Sequence, residues 1–186
     1  MYDTTVPMIE LVMRADMLEN MPVYDLPEEY GWRFYRPGDE KIWAEMKISS
    51  EEFESVEQGL KSFAHYFPEK DELPGRMRFL TDNGVPFATA AAWFGDGEFG
   101  REEGRLHWVS VDKEHQGRGL SYPLVSLAMH CMRGLGHRTA YLTTQTGSWP
   151  AIKVYYRFGF RPLISSEEEA EGWKIVSEKT GIDFLN

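Results

Sequence analysis

A glycine-bearing turn between a strand and a helix is the segment of this chain best suited to chemistry. Residues Leu106 to Val111 alternate as a β-strand, and an apolar helix starts after the turn. The turn itself consists of Gln116, Gly117, Arg118, Gly119, Leu120 and Ser121. Such a turn leaves backbone N–H groups unused at a helix N-terminus, where the helix dipole also favours negative charge. Because glycine has no side chain to keep a ligand away, the turn predicts a diphosphate site.

The turn differs from two familiar phosphate-binding patterns. It has neither the Gly-x-x-x-x-Gly-Lys-Ser/Thr spacing of nucleotide triphosphatases nor the full Gly-x-Gly-x-x-Gly of dinucleotide sites. A glycine turn before a helix can equally be a plain connection. The six residues alone therefore leave both interpretations open.

The elements that must position this turn can be predicted from hydrophobic periodicity. Upstream, a strand over 31–36, a helix over 39–48 and a second helix over about 50–67 lead to a hairpin of Arg76–Thr81 and Pro86–Phe94. An Asn-Gly pair between the last two segments is a strong signal for an antiparallel hairpin.

Downstream, the order is strand, helix, strand, helix. The strands are Arg105–Asp112 and Thr139–Thr144, the first helix runs from Leu120 to Gly134 or Gly136, and the second lies before Gly159. A helix that crosses between two strands predicts their parallel pairing. The fold class expected is α/β with a mixed sheet, mostly antiparallel with one parallel pair, flanked by helices.

The bulk composition restricts other kinds of site. The 186 residues suit a single domain, 1–186, with one cysteine and five histidines, none in His-Glu-x-x-His spacing. We therefore expect no disulfide and no metal. A net charge of −10 opposes nucleic-acid binding. No apolar run approaches the roughly 18 residues of a membrane span, and the N-terminus lacks a secretory pattern, so a cytoplasmic protein without a membrane partner is expected.

Two motifs in order resemble those of the GNAT superfamily of acyl-CoA-dependent N-acyltransferases. Gln116–Ser121 resembles its acyl-CoA signature, Gln/Arg-x-x-Gly-x-Gly/Ala, with serine at the last position. About 30 residues on, Ala151–Phe160 resembles its Ala-x-x-x-Tyr-x-x-x-Gly-Phe segment. The resemblance covers about 31–163 and implies the GNAT fold, with the parallel pair splayed at the cofactor site.

The resemblance implies acetyl-CoA as the co-substrate. Backbone groups of Val109, Ser110 and Val111 would then pair with the pantetheine arm, and the amides from Gln116 to Ser121 would hold the diphosphate. Arg118 would add charge complementarity or would be an ordinary surface residue. A homodimer is the expectation at the level of the family.

The resemblance also assigns a catalytic role to Tyr155. It stands four residues before Gly159, where family members often carry the general acid that protonates the departing CoA thiolate. The alternatives are that Tyr155 only packs, or that its neighbour Tyr156 is the acid.

The proton acceptor is predicted less directly. His107 lies on the same expected strand face as Val109, and an unperturbed imidazole pKa of about 6.5 suits proton removal. Glu102 and Glu103, just before the strand, are alternatives, and each of these residues could equally be structural. Cys131 lies on the apolar stripe of a helix and is expected to be a core residue rather than a nucleophile.

Two functions remain compatible with these residues. The first is transfer of an acetyl group from acetyl-CoA to a primary amine of a small molecule or peptide. The second is a non-catalytic acyl-CoA-binding regulatory module with the same fold.

Overall fold

The computed structural model describes residues 2–50 and 52–185, which cluster into two compact units. The first unit comprises Phe94–Arg105 and the described parts of Met1–Pro22 and Arg133–Asn186. The second unit comprises Val23–Trp93 and Leu106–Met132.

Seven strands and six α-helices run through the described residues. The strands are β1 (Glu10–Ala15), β2 (Tyr30–Phe34), β3 (Met77–Asp82), β4 (Val85–Phe94), β5 (Gly104–Val111), β6 (Ala140–Gln145) and β7 (Arg161–Leu163). The helices are α1 (Asp39–Ser49), α2 (Val56–Tyr66), α3 (Leu73–Arg76), α4 (Ser121–Gly134), α5 (Trp149–Arg157) and α6 (Glu167–Thr180). Among the described residues, none of these helices combines the length and apolar character needed to cross a membrane.

The first unit is built around β1, which pairs antiparallel with both β6 and β7. The start of β5 joins the other side of β6, where Gly104 pairs with Ala140 in parallel. The strand order in this unit is therefore β5-β6-β1-β7. Helix α6 packs closely on β1, since a Cβ added at Gly172 would lie 2.9 Å from Leu11 Cδ2. Trp173, next to that glycine, is fully buried.

The second unit has the strand order β2-β3-β4-β5. Strands β3 and β4 form the expected antiparallel hairpin, and Asn83 (φ 47°) and Gly84 (φ 83°) both take the left-handed conformation of its two-residue turn. Helices α1 and α2 pack backbone to backbone, because a Cβ at Gly59 would lie 2.6 Å from Ala44 Cβ. The buried rings between elements include Trp43 and Phe63.

Strand β5 departs from the expected alternation at Trp108. Its φ of 50° is left-handed, a conformation that few non-glycine residues adopt. Leu106 and His107, which precede Trp108 in the strand, are both buried. The irregularity directly precedes Val109, Ser110 and Val111, the segment predicted to meet pantetheine.

Most predicted elements are confirmed, as is the α/β class with one parallel pair. The parallel ladder is shorter than expected, with Gly104 and Arg105 as its only pairs among the described residues. Helix α2 begins at Val56 rather than near 50, because the Ser55 hydroxyl caps it by accepting the Gln58 N–H. The predicted start at Glu51 lies outside the described residues.

Candidate functional site

The glycine turn before α4 has the backbone conformation that its sequence predicts. Gly117 and Gly119 both have a φ of 76°, which L-residues rarely adopt. A Cβ added at either glycine would meet no atom within 4 Å, so the space beside this part of the turn is open. The glycines are therefore required by backbone conformation and leave room for a ligand.

The backbone amides of the turn are available to a ligand. Within residues 2–50 and 52–185, no acceptor receives the N–H of Gly117, Arg118, Gly119 or Leu120. Internal bonding starts only at Tyr122, whose N–H donates to the Gly119 carbonyl at 3.2 Å. The 14-residue helix α4 has no acidic side chain in its first turn to satisfy its dipole. These features fit an anion such as a diphosphate.

Side chains just before the glycines hold the turn in place. The Asp112 Oδ1 atom accepts the His115 N–H at 3.0 Å and lies 2.6 Å from its Nδ1. The His115 ring stacks on Phe87 with 4.0 Å between ring centroids. The Gln116 side-chain amide donates to the carbonyl of Val111, the last residue of β5, at 2.9 Å. This hydrogen bond connects the turn to the end of the strand. Asp112 and His115 were not singled out from the sequence, although an aspartate three residues before a helical-turn residue is a capping signal.

Arg118 is oriented by two fixed acceptors. Its Nη1 donates to the Tyr30 hydroxyl at 3.1 Å, and its Nη2 donates to the Glu114 carbonyl at 3.0 Å. The hydrogen bond to Tyr30 also raises the pKa of Arg118. A positive charge is therefore held at the turn, as expected if Arg118 complements a diphosphate.

The predicted proton acceptors lie in different surroundings. His107 is 6% exposed, and its ring meets the rings of Phe67 at 5.4 Å and Tyr66 at 5.8 Å. In the first unit, Glu103 is buried and forms a two-point ion pair with Arg14, at 2.6 and 3.3 Å. Glu102 is exposed, and its backbone carbonyl lies 2.9 Å from His137 Nδ1. Arg14 therefore occupies both carboxylate oxygens of Glu103.

Tyr155 lies on α5 in the first unit and is 8% exposed. Its ring meets Phe160 edge-on at 6.3 Å. Tyr156, the alternative acid, lies beside Arg161, whose Cζ atom is 4.0 Å from the centroid of the Tyr156 ring. Gly159 ends this helix with a φ of 87°, as the motif predicts.

Cys131 is a partly buried thiol held by hydrogen bonds. Its Sγ accepts from Arg78 Nη2 at 3.0 Å and donates to the Gly75 carbonyl at 3.3 Å. Burial raises the pKa of the Cys131 thiol. A protonated thiol is a weak nucleophile, which agrees with its expected non-catalytic role.

Fold and turn together define an α/β protein with an open turn and unused backbone amides at the N-terminus of α4. Residues 40–160 match the model of the acetyltransferase (GNAT) family. Because this match covers more than half of the 186 residues, the chain belongs to that family. In the part of the chain that the structure describes, His, Cys, Asp and Glu form no group of three that could hold a metal ion.

Relatives of similar sequence have acetyltransferase names, which is consistent with this family. A mycothiol acetyltransferase of Streptomyces bingchenggensis is 31% identical over 157 residues, covering 76% of this chain and 46% of that protein. One from Corynebacterium glutamicum is 32% identical over 91 residues, covering 39% of this chain and 31% of that protein. The chain thus spans less than half the length of the curated relatives it matches.

Solved structures show the same fold. A GCN5-related N-acetyltransferase from Sphaerobacter thermophilus superposes with a TM-score of 0.63 at 19% identity, covering 83% of this chain and 48% of that one. A GNAT-family acetyltransferase from Colwellia psychrerythraea gives 0.62 at 13% identity, covering 87% and 55%.

Proposed function

We propose that this chain transfers an acetyl group from acetyl-CoA to a primary amine. The observation that carries the proposal is the open turn at Gly117 and Gly119, with four unused amides at the start of α4, in a chain of the GNAT family. Acetyl-CoA supplies a thioester, whose carbonyl carbon is the electrophile.

The binding roles follow the elements of the second unit. The amides from Gln116 to Ser121, with Leu120 among them, would hold the diphosphate, and Arg118 would add a positive charge. The backbone of Val109, Ser110 and Val111 would pair with the pantetheine arm. The left-handed φ of Trp108 interrupts the regular strand directly before this segment.

Transfer would be direct, without a covalent intermediate on the protein. The neutral amine attacks the thioester carbonyl, a nitrogen–carbon bond forms, and the carbon–sulfur bond breaks. Tyr155 would protonate the departing thiolate. An alkylamine with a pKa of about 10 is almost fully protonated at neutral pH, so a group on the protein must first accept a proton. His107 stays a prediction for that role.

The relatives suggest one acceptor to test. Their names associate acetyl transfer with mycothiol, so unacetylated mycothiol belongs in an acceptor panel beside simple alkylamines and peptide N-termini.

A non-catalytic acyl-CoA-binding module is the second candidate. It is favoured by the burial of His107 among aromatic rings and by the pairing of Glu103 with Arg14, which leave neither predicted base well placed.

One experiment separates the two candidates. Acetyl-CoA binding is measured by calorimetry, and acetylated amines are sought by mass spectrometry after incubation with the panel. Binding together with an acetylated product supports the transferase. Binding without product for any amine supports the module, and absence of binding contradicts both.

A further inference from the structure

A fully buried lysine lies beside the strand that is proposed to meet pantetheine. Lys47, on α1, is 0% exposed. Its Nζ lies 4.8 Å from the Trp108 ring centroid and 5.6 Å from that of Trp43. An ammonium group is costly to bury and is rarely found inside a protein without a partner. The position of Lys47 therefore needs an explanation beyond packing.

Glu52 is the partner of this lysine. Its Oε1 and Oε2 atoms lie 3.0 and 3.3 Å from Lys47 Nζ. The Glu52 N–H also donates to the Lys47 carbonyl at 2.9 Å, so backbone and side chain both attach this segment to the lysine. The Glu52 side chain is nevertheless 38% exposed, whereas that of Lys47 is 1% exposed. The pair therefore has one end in the interior and one end at the surface.

The exposed end of the pair reaches β5. The Ser110 hydroxyl lies 3.5 Å from Glu52 Oε1, and Ser50 donates to the same oxygen at 2.9 Å. Ser110 is the middle residue of the segment that would pair with pantetheine. Glu52 thus places a partly exposed carboxylate beside the strand along which the thioester would lie.

We propose that Glu52 and Lys47 together form the proton-accepting group of this site, with Glu52 binding the acceptor as its ammonium ion and relaying a proton to Lys47. This inference rests on the proposed acetyl transfer. It replaces His107 as the base and makes an amine that is cationic in solution the acceptor class.

One turnover leaves one proton on Lys47, which returns to solvent through the partly exposed Glu52 carboxylate before the next acceptor binds. With Lys47 neutral, Glu52 carries an uncompensated negative charge that attracts the ammonium. One proton passes through the Glu52 carboxylate to Lys47, which leaves the ion pair seen in the structure and a neutral amine. The second proton leaves nitrogen after the nitrogen–carbon bond forms, and it balances the proton that Tyr155 gives to the thiolate.

The surroundings of Lys47 favour this exchange. Burial lowers the pKa of Lys47, while the charge of Glu52 and its hydrogen bond oppose that effect. The other titratable side chains facing the Trp108 ring are Tyr66, with ring centroids 4.8 Å apart, and His107, at 6.0 Å. A cation bound at Glu52 weakens the support that Lys47 receives and so keeps Lys47 neutral until the proton moves. Once the amine is neutral, the charge of Glu52 again stabilises the protonated lysine.

The test compares Glu52→Gln with a matched control, Glu57→Gln. Glu57 lies on α2, is 80% exposed and pairs only with Lys61 at the surface among the described residues. We measure kcat/KM for an alkylamine between about pH 6.5 and 9.5, together with the Kd for acetyl-CoA. Loss of a general base typically costs about 100- to 10,000-fold, so Glu52→Gln should lose at least about 100-fold near neutral pH.

The pH profile separates catalysis from structure. Below an amine pKa of about 10, the free amine increases about tenfold per pH unit, so the defect of Glu52→Gln should shrink as pH rises. Acetyl-CoA affinity should stay within about twofold of wild type, because the turn that holds the diphosphate is unchanged. Lys47→Met, which keeps most of the side-chain volume, should show the same trend.

Three outcomes contradict the inference. A defect that is constant with pH would indicate a structural role, and activity equal to that of Glu57→Gln would indicate no role. A pH-dependent loss of kcat/KM that is larger in His107→Gln than in Glu52→Gln would identify His107 as the base. If wild type instead acetylates no amine, the proposed function itself fails, and the inference fails with it.

Discussion

The substitution Gly119→Ala separates the backbone role of the turn from its role in binding. Gly119 has a φ of 76°, and an L-residue in the left-handed region costs about 1–2 kcal/mol. An added Cβ meets nothing within 4 Å, so no clash adds to this cost. For a chain of this size, unfolding should occur about 2–8 °C lower. The protein should therefore still fold, with a methyl group beside the unused amides.

The effect on ligand binding should be larger than the effect on folding. Acetyl-CoA at about 100 times its Kd stabilises wild type by roughly 2.7 kcal/mol. Loss of one hydrogen bond to a charged group costs about 1.5–3 kcal/mol, equivalent to about 10- to 150-fold in affinity. At the same acetyl-CoA concentration, Gly119→Ala should then retain only about 0.3–1.4 kcal/mol of stabilisation.

The assay is thermal unfolding with and without acetyl-CoA, and Gly136→Ala is the matched control. Gly136 has a φ of 94° and equally open surroundings, but it lies beyond the other end of α4. Both variants should unfold at lower temperature than wild type, whereas only Gly119→Ala should lose most of the acetyl-CoA shift. Equal shifts in the two variants would refute the assignment of the diphosphate to this turn.

Three further outcomes follow from named contacts. Tyr155→Phe should lower kcat by about 100-fold or more without weakening acetyl-CoA binding, whereas Tyr156→Phe should not; equal turnover in both would remove Tyr155 as the acid. Cys131 should react with iodoacetamide near neutral pH far more slowly than free cysteine, because burial raises its pKa; reaction at the free rate in the folded protein would contradict this. Hydrogen bonds from the Thr5 hydroxyl, the larger cause, and from Lys179 hold the pKa of Asp3 far below its ordinary value. The Asp3 carboxylate therefore stabilises the fold fully above its unfolded pKa of about 3.9. This stabilisation is lost as the pH falls through the folded pKa. Asp3→Asn should accordingly lower the melting temperature near neutral pH and have a diminishing effect toward about pH 2, and a pH-independent effect would contradict that cause.

Local signals predicted the part of the fold that holds the candidate cofactor turn. The Asn83-Gly84 pair identified the β3–β4 hairpin because both residues tolerate left-handed φ. The glycines at 117 and 119 identified the turn before α4 for the same reason. In each case the signal lies within a few neighbouring residues, so sequence spacing was sufficient.

Long-range pairing could not be predicted in the same way. Strand β1 pairs with β6 across more than 120 residues, and nothing in Glu10–Ala15 indicates that partner. Its short run of apolar residues is ambiguous between strand and helix. The charge-dense stretch from Ser165 to Glu171 was compatible from the sequence with either a solvated loop or a helix start. In the structure it begins α6, which Ser166 caps by accepting the Glu169 N–H.

The surroundings of individual side chains could likewise not be predicted from the sequence. An alternating strand predicts opposite faces for His107 and Trp108, but the left-handed φ of Trp108 interrupts that alternation. Lys47 lies on a helix whose other lysine, Lys41, is exposed, and no periodicity distinguishes a buried lysine from a solvated one. The Glu52–Lys47 ion pair could be identified only from the distances between its atoms in the structure.

The proposed function depends on binding of the acetyl-CoA diphosphate by the amides at the start of α4. An amide NMR titration of the 15N-labelled wild-type chain with acetyl-CoA tests this binding most directly. The largest shifts should fall on Gly117, Arg118, Gly119 and Leu120, whose N–H groups lack an acceptor among the described residues. Saturable binding that leaves these four amides unshifted would contradict it.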